Sequence, residues 1–426
     1  MFWRRHQMGK LGSAAKVGFF LATRQIKRAS IWTNVLVVCV MVLTFLNLVV
    51  VSGILVGLIE GATQAVQKHY IGDVFITPLK EKNYIERSSI IMKTIRSIPG
   101  VSAVSGRYIS SGNVEAEYKK AKKNSNDKGN EVSTTFVGID PIDEDAVSGL
   151  SRLVIEGEYL NRNDYDRVLV GGMLLKKYLD YDSTTFPALS NINVGDKIRI
   201  TVNGNVREVF VKGITKSKVD EIDRRIFFVD SQFRGLVGRD DYNLGEISIV
   251  TKQGVSPFVV KQALLANHFD DYSSIKAGNE AEPKFIQDLR NTFSMLGTAI
   301  SSIGLIVAAI TIFIVIFINA VTRRKFIGIL KGIGIRPVTI EWAYIFQAFF
   351  YATAGTIIGL VIVFGILKPY FDANPINFPF SDGILVATAS GTLIRIAVLF
   401  LATLIAGYIP VKIITRQNTL DAILNR

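Results

Sequence analysis

Four apolar runs, at 31–59, 293–321, 342–367 and 384–411, constrain this chain more than any other feature. Each exceeds the roughly 20 residues that a helix needs to cross a hydrocarbon core. Runs of that length select helices, because every backbone hydrogen bond then closes within the segment. Gly, Ser and Thr within the runs are compatible with that reading. The first run is too long for the apolar region of a cleaved leader and has no A-x-A site before polar sequence, so it reads as an uncleaved anchor.

Charge predicts the orientation. Residues 1–30 carry seven Lys/Arg and no acid, the 321–337 loop five and no acid, and the segment from Lys412 three against Asp421. The 60–290 segment holds 32 basic and 32 acidic residues. The formal net charge of +13 therefore resides almost wholly in the short segments. The positive-inside rule then puts both termini and the loop in the cytoplasm, with 60–290 and the 368–383 loop outside. Nucleic acid is not an expected partner, since the large polar segment has no net charge to offer phosphates.

The expected organisation is a 1–30 amphipathic lead-in helix, a first span at 31–59, and an extracytoplasmic domain at 60–290. Spans at 293–321, 342–367 and 384–411 follow, separated by a 322–338 cytoplasmic segment and the 368–383 outer loop, and then a 412–426 tail. The fold class is membrane α-helical, with a mixed α/β domain inserted between the first two spans. Strands are expected at 73–77, 101–105, 133–139, 167–170, 197–202, 206–214, 225–229 and 246–251, and a helix at 88–98 that Pro99-Gly100 stops. Asn203-Gly204 signals a hairpin. The polar, Lys- and Asn-rich 119–131 stretch reads as a hairpin tip or a binding arm. Ile59, Thr63, Val66 and Tyr70 fall on one helical face, as do Phe285, Leu289, Phe293 and Leu296, so helical stalks are expected at both ends of the domain. The lone cysteine, Cys39, lies in the first span, so the outer domain is expected to hold no disulfide.

Catalytic signals are sparse. There is no G-x-x-x-x-G-K-[ST] phosphate loop. His6, His69 and His268 are scattered, and no metal site is expected. Asp143-Glu144-Asp145 and Asp220-Glu221 with Asp223 read as solvated loops. The spacing of Gly53, Gly57 and Gly61, and of Gly355 and Gly359, suits close helix packing. Arg395 is a charge inside a span; snorkelling or a structural ion pair is expected of it ahead of a transport role.

The 322–338 loop carries Arg323-Arg324-Lys325-Phe326-Ile327-Gly328-Ile329-Leu330-Lys331-Gly332-Ile333-Gly334. This resembles the R-R-(K/R)-E-I-G-I-L-(K/R)-A-(L/I)-G signature of ATP-binding-cassette (ABC) permeases that include the macrolide exporter, the lipoprotein-releasing complex and FtsX. Phe326 stands where the family has Glu, and Gly332 where it has Ala. Pro410 and the stretch Thr419-Leu420-Asp421-Ala422-Ile423 resemble the family's C-terminal pattern, with Thr419 in place of Pro. Phe20 to Arg28 resembles its lead-in helix. Val137 to Pro141, Glu156 to Leu160 and Val194 to Ile198 resemble its recurring turns, and Asp220 to Asp230 is most similar to the lipoprotein-releasing branch.

The resemblance implies a non-enzymatic subunit with no cofactor of its own, ATP and Mg being bound by a separate ABC ATPase. Arg323, Arg324, Lys325, Ile327, Gly328, Ile329, Leu330, Lys331 and Gly334 would form the coupling helix. Its apolar face of Ile327, Ile329, Leu330 and Ile333 would enter a groove on that ATPase, with the basic residues at the rim. Implied partners are also a second permease subunit, identical or paralogous, membrane lipids, and a periplasmic adaptor or chaperone. The implied function is mechanotransmission from the cytoplasm to the outer domain, driving export or extraction of a lipophilic substrate or lipoprotein. An FtsX-like regulator of an extracellular cell-wall enzyme is the alternative.

Overall fold

The computed structural model describes residues 2–119, 130–179, 187–239, 241–374, 376–378, 381–383 and 385–416. In chain order we label the helices α1 (Phe2–Arg28), α2 (Ile31–Ile71), α3 (Ser88–Ser97), α4 (Pro141–Ser148), α5 (Asp230–Val237), α6 (Pro257–Ala266), α7 (Lys284–Thr322), α8 (Arg324–Gly332), α9 (Pro337–Ala373) and α10 (Ala389–Thr415). The strands are β1 (Val74–Pro78), β2 (Val101–Glu115), β3 (Glu131–Ile139), β4 (Val154–Gly157), β5 (Arg167–Gly171), β6 (Lys197–Val202), β7 (Asn205–Thr215), β8 (Arg225–Val229), β9 (Glu246–Thr251) and β10 (Ser273–Ala277). The chain forms two compact units. One comprises Met1–Ile59, Leu289–Ile376 and Gly383–Arg426; the other comprises Glu60–Asp288 and Asn377–Asp382.

The first unit is helical. Helices α2, α7, α9 and α10 are each long and apolar enough to cross a membrane. Their inner faces meet through Met41 and Phe45, Ile312 and Ile316, Tyr344 and Tyr351, and Leu399. Their outer faces leave Ile306, Ile310, Leu401 and Ile405 uncovered. Apolar surface on that scale needs lipid or another chain over it. Small residues set the closest approaches: a Cβ on Gly355 would lie 2.4 Å from Met41 Cβ, and one on Gly359 2.3 Å from the Phe45 ring. Gly53 packs on Leu385 and the Val386 carbonyl, its own carbonyl accepting from Val386 N–H at 3.2 Å. Gly57 is buried and Gly61 half-buried. Helix α1 crosses α9 where Gly18 meets Trp342 and Phe19 stacks edge-on against Phe346.

Two helix bounds differ from those read in the sequence. The run that opens at 384 becomes helical only at Ala389, because the Thr388 side chain caps the first turn by accepting from Gly391 N–H at 3.3 Å. Helix α9 continues through a π turn, Val363–Leu367, to Ala373, which shortens the loop expected at 368–383.

The second unit is mixed α/β, organised by the 15-residue strand β2. Its first half, from Val101 to Arg107, pairs with β9 and completes an antiparallel sheet of order β10-β1-β9-β2. Helices α3 and α6 connect β1 to β2 and β9 to β10, a split βαβ arrangement packed through Ile76, Ile91, Ile95, Val260 and Leu264. The second half of β2, from Tyr108 to Glu115, pairs with β3. From there the pairing runs β3–β8–β5–β7–β6 and returns to β2, so six strands close on themselves. Phe136, Val168, Ile198, Val209 and Phe228 fill the interior, with Phe233 of α5 against them.

The Asn203-Gly204 hairpin forms, with φ of 50° and 82° and Val202 paired to Asn205. Strands β4 and β10 were not anticipated, and β2 is three times longer than the 101–105 strand expected. Most of the 119–131 stretch and all of 419–423 lie outside the described residues. Val66 and Tyr70 of α2 are buried in the same core as Ile286 of α7. Phe285 and Leu296 instead face outward, which corrects the second stalk face.

Candidate functional site

Helix α8 is nine residues long, and its ends are dictated by local chemistry. Gly334 takes φ +93°, which an L side chain would resist. Gly334 N–H then reaches Lys331 O at 3.1 Å and Ile335 N–H reaches Leu330 O at 3.0 Å, a Schellman closure. Pro337, at the first position of α9, starts the next helix without losing a hydrogen bond.

The apolar residues of α8 divide between two faces. Ile327 and Leu330 are buried in the core of the helical unit, and Gly328 is buried beside them. Phe326, Ile329 and Ile333 point out, at 50%, 44% and 70% exposure, with Lys325 exposed beside them. This corrects the face of Ile327, Ile329, Leu330 and Ile333 expected from sequence: half of it is already occupied. Lys331 is half-buried and already engaged within the chain. Its ammonium donates to Thr415 O at 3.1 Å, filling an orphan carbonyl in the last turn of α10. Thr415 Oγ1 donates to Glu341 Oε1 at 3.2 Å, which adds α9 to the same joint. Arg323 and Arg324 are half-buried where α7 hands over to α8.

A second polar constellation lies in the α/β unit, and the sequence did not reveal it. Arg107, at the midpoint of β2, is 2% exposed. It grips Glu144 of α4 with two hydrogen bonds, Nη2–Oε1 at 2.8 Å and Nε–Oε2 at 3.0 Å, and reaches Glu246 of β9 at 3.4 Å. Arg225 of β8 donates to both Glu246 oxygens, at 3.0 and 3.2 Å. Tyr70, in the π turn that ends α2, donates to Glu246 Oε1 at 2.6 Å, and both guanidiniums lie near its ring. Burial by itself would raise both Glu carboxyls. Arg107 outweighs it at Glu144, and Arg225 with Arg107 outweighs it at Glu246, so both stay below the usual carboxylate range.

Two residues of the acidic clusters read as solvated loops are therefore interior. Glu144 is 1% exposed and Asp223 2%. Asp223 accepts from the backbone N–H of Ser217 and Lys218, yet burial pushes its carboxyl up to about 6. His69 Nδ1 faces Ser148 O at 2.8 Å. Among the described residues, no cluster of three or more His, Cys, Asp or Glu is placed to hold a metal.

Four apolar crossing helices and an α/β unit inserted after the first of them define a multi-pass membrane protein with a large polar domain. Residues 298–419 match the FtsX-like permease C-terminal domain. The chain therefore carries an FtsX-like permease C-terminal segment within a framework of four helices long and apolar enough to cross a membrane. It is 26% identical over 201 residues to a macrolide export ATP-binding/permease protein, MacB, of Nitrobacter winogradskyi, an alignment covering 46% of this chain and 30% of that one. The chain thus spans less than a third of that relative's length. It is 24% identical over 352 residues to an uncharacterized ABC transporter permease of Methanocaldococcus jannaschii, covering 78% of each. Among solved structures it is similar to the extracellular domain of the noncanonical ABC-type transporter YknZ from Gram-positive bacteria, with a TM-score of 0.32 and 14% identity over 49% of this chain and 98% of that one. The periplasmic region of MacB from Actinobacillus actinomycetemcomitans gives a TM-score of 0.34 and 14% identity over 51% of this chain and 93% of that one.

Proposed function

We propose that this chain is the mechanotransmitting subunit of an ABC system. A separate cytoplasmic ATPase docks on the Lys325, Phe326, Ile329 and Ile333 face of α8, and its cycle drives movement of the Glu60–Asp288 unit. That movement exports or extracts a lipophilic substrate or lipoprotein. A second permease subunit completes the assembly. The observation that carries this reading is the two-sidedness of α8: one apolar face is fixed in the helical core, and the other is uncovered. Lys331 adds a rigid tie from α8 to the end of α10, so a push on α8 reaches two crossing helices at once.

Ile329→Asp and Ile333→Asp test the docking, both positions being exposed on the uncovered face. A carboxylate forced into an apolar groove costs on the order of 2 kcal/mol, or about 30-fold in affinity. Co-purification with the cognate ATPase is expected to fall accordingly, with yield and melting temperature unchanged. Leu330→Asp would not discriminate, because Leu330 is 8% exposed and the change would disturb the core. Full ATPase binding and transport by both exposed-face variants would sink the reading.

The orientation has its own test, in a Cys39→Ala background. A cysteine replacing the exposed Lys82 is expected to react with an impermeant maleimide in intact cells. One replacing Ile333 is expected to react only after permeabilisation. The reverse pattern would invert the topology.

A further inference from the structure

We propose that Arg395 and Ser52 form a binding site for the anionic headgroup of a lipid or lipid-linked molecule, at the membrane boundary remote from α8. Arg395 donates from Nη2 to Ser52 Oγ at 2.6 Å, which joins α10 to α2. It has no carboxylate within 4.0 Å among the described residues, whereas Arg107, Arg225 and Arg234 of the α/β unit each pair with one. A guanidinium carries five donors in a fixed fork that suits phosphate or carboxylate. One hydroxyl leaves most of that capacity unused.

The depth of the pair supports the same ligand. Ser52 lies 21 residues beyond Ile31, and Arg395 lies 20 residues before Thr415. At about 1.5 Å per residue both separations are close to 30 Å, the thickness of the hydrocarbon core. Two helices running in opposite directions therefore place the pair at one boundary. Lys412, Arg416 and Trp32 mark the other. Val398, one turn from Arg395 on the same face of α10, is exposed, and so is Ile394 beside it. The site thus opens sideways to the bilayer, where a headgroup can arrive without leaving the membrane. A guanidinium at that boundary meets the phosphate layer, and an anionic headgroup is the pairing the lipid can supply.

The inference deepens the proposed function by giving its substrate an anionic headgroup. It is tested without the ATPase, so failure of α8 docking would leave it standing. The intact permease carrying a photo-crosslinking residue in place of Val398, which is exposed one turn from Arg395, is placed in nanodiscs of equal phosphatidylglycerol and phosphatidylcholine. Cross-linked lipid is then read by mass spectrometry. Phosphatidylglycerol is expected to be enriched at least fivefold, Arg395→Gln to reduce the ratio to near one, and Arg395→Lys to keep an intermediate preference. An unchanged ratio in Arg395→Gln would overturn the site, because the basic segments at the other boundary would then account for the preference. Competition by a soluble phosphate monoester separates the two sources of the same chemistry: displacement would indicate a free anion site and overturn the headgroup assignment, and none is expected.

Discussion

Arg107→Leu is expected to destabilise the Glu60–Asp288 unit by about 3–5 kcal/mol, the usual cost of removing one partner from a buried ion pair. The loss is large because Glu144, 1% exposed, would keep a carboxylate in the interior with no cation beside it. Glu246 would keep only Arg225 and Tyr70. Pulse proteolysis of the intact chain in urea reads the change. Arg107→Leu combined with Glu144→Leu is expected to cost less than the sum of the two single changes, because the pair is removed together. A simple sum would mean that the two groups do not interact. The pH dependence has a fixed sign. Both carboxyls are held below their ordinary value of 4.5 in the folded state, so their contribution is fully present above that value. It is lost as pH falls from 4.5 through the depressed folded values. Asp223 acts in the opposite sense. Its folded value of about 6 exceeds its unfolded 3.8, so its contribution declines as pH rises between the two. A domain whose stability is flat from pH 6 down to 3 would contradict both assignments.

Gly355→Leu is expected to separate α2 from α9 and to cost about 3 kcal/mol, at the upper end of the usual overpacking penalty. The added Cβ would fall 2.4 Å from Met41 Cβ and 3.1 Å from the Met41 carbonyl carbon. A side chain could swing aside, but backbone cannot. Loss of folded protein in detergent, read as a drop in melting temperature and yield, measures it. Gly365→Leu on the same helix is the control, since nothing lies within 4 Å of its Cβ position. Equal damage from both would show that the effect is propensity and not packing.

The spans were legible because bilayer thickness writes itself into run length. The glycines at 355 and 359 were legible because small residues one turn apart have few other uses in a crossing helix. The start of α10 was not, because 384–388 is as apolar as the helix it precedes, and a single Thr388 hydroxyl decides the boundary. The two faces of α8 were not separable either. Phe326, Ile327, Ile329 and Leu330 are all apolar, and only the neighbouring helices determine which of them are covered. Glu144 looked like surface loop because its partner Arg107 is 37 residues away, and Glu246 is 139 residues from that same arginine. Local sequence carries no trace of a partner so distant. The uncovered second face of α7 shows the limit of periodicity: it locates an apolar stripe without saying what, if anything, lies against it.

Strand β2 has a mechanical consequence. One continuous strand is shared by the split βαβ sheet and by the closed six-stranded circuit, and its pairing changes hands between Arg107 and Tyr108. Jaws that open and close need a hinge of unpaired backbone between their halves, and here that place is a laddered strand with a gripped guanidinium beside it. Under the proposed function the unit would therefore act as a lever and not a clamp: work done on it would emerge as displacement of the whole body, and a cargo would be shoved or tipped aside, never swallowed.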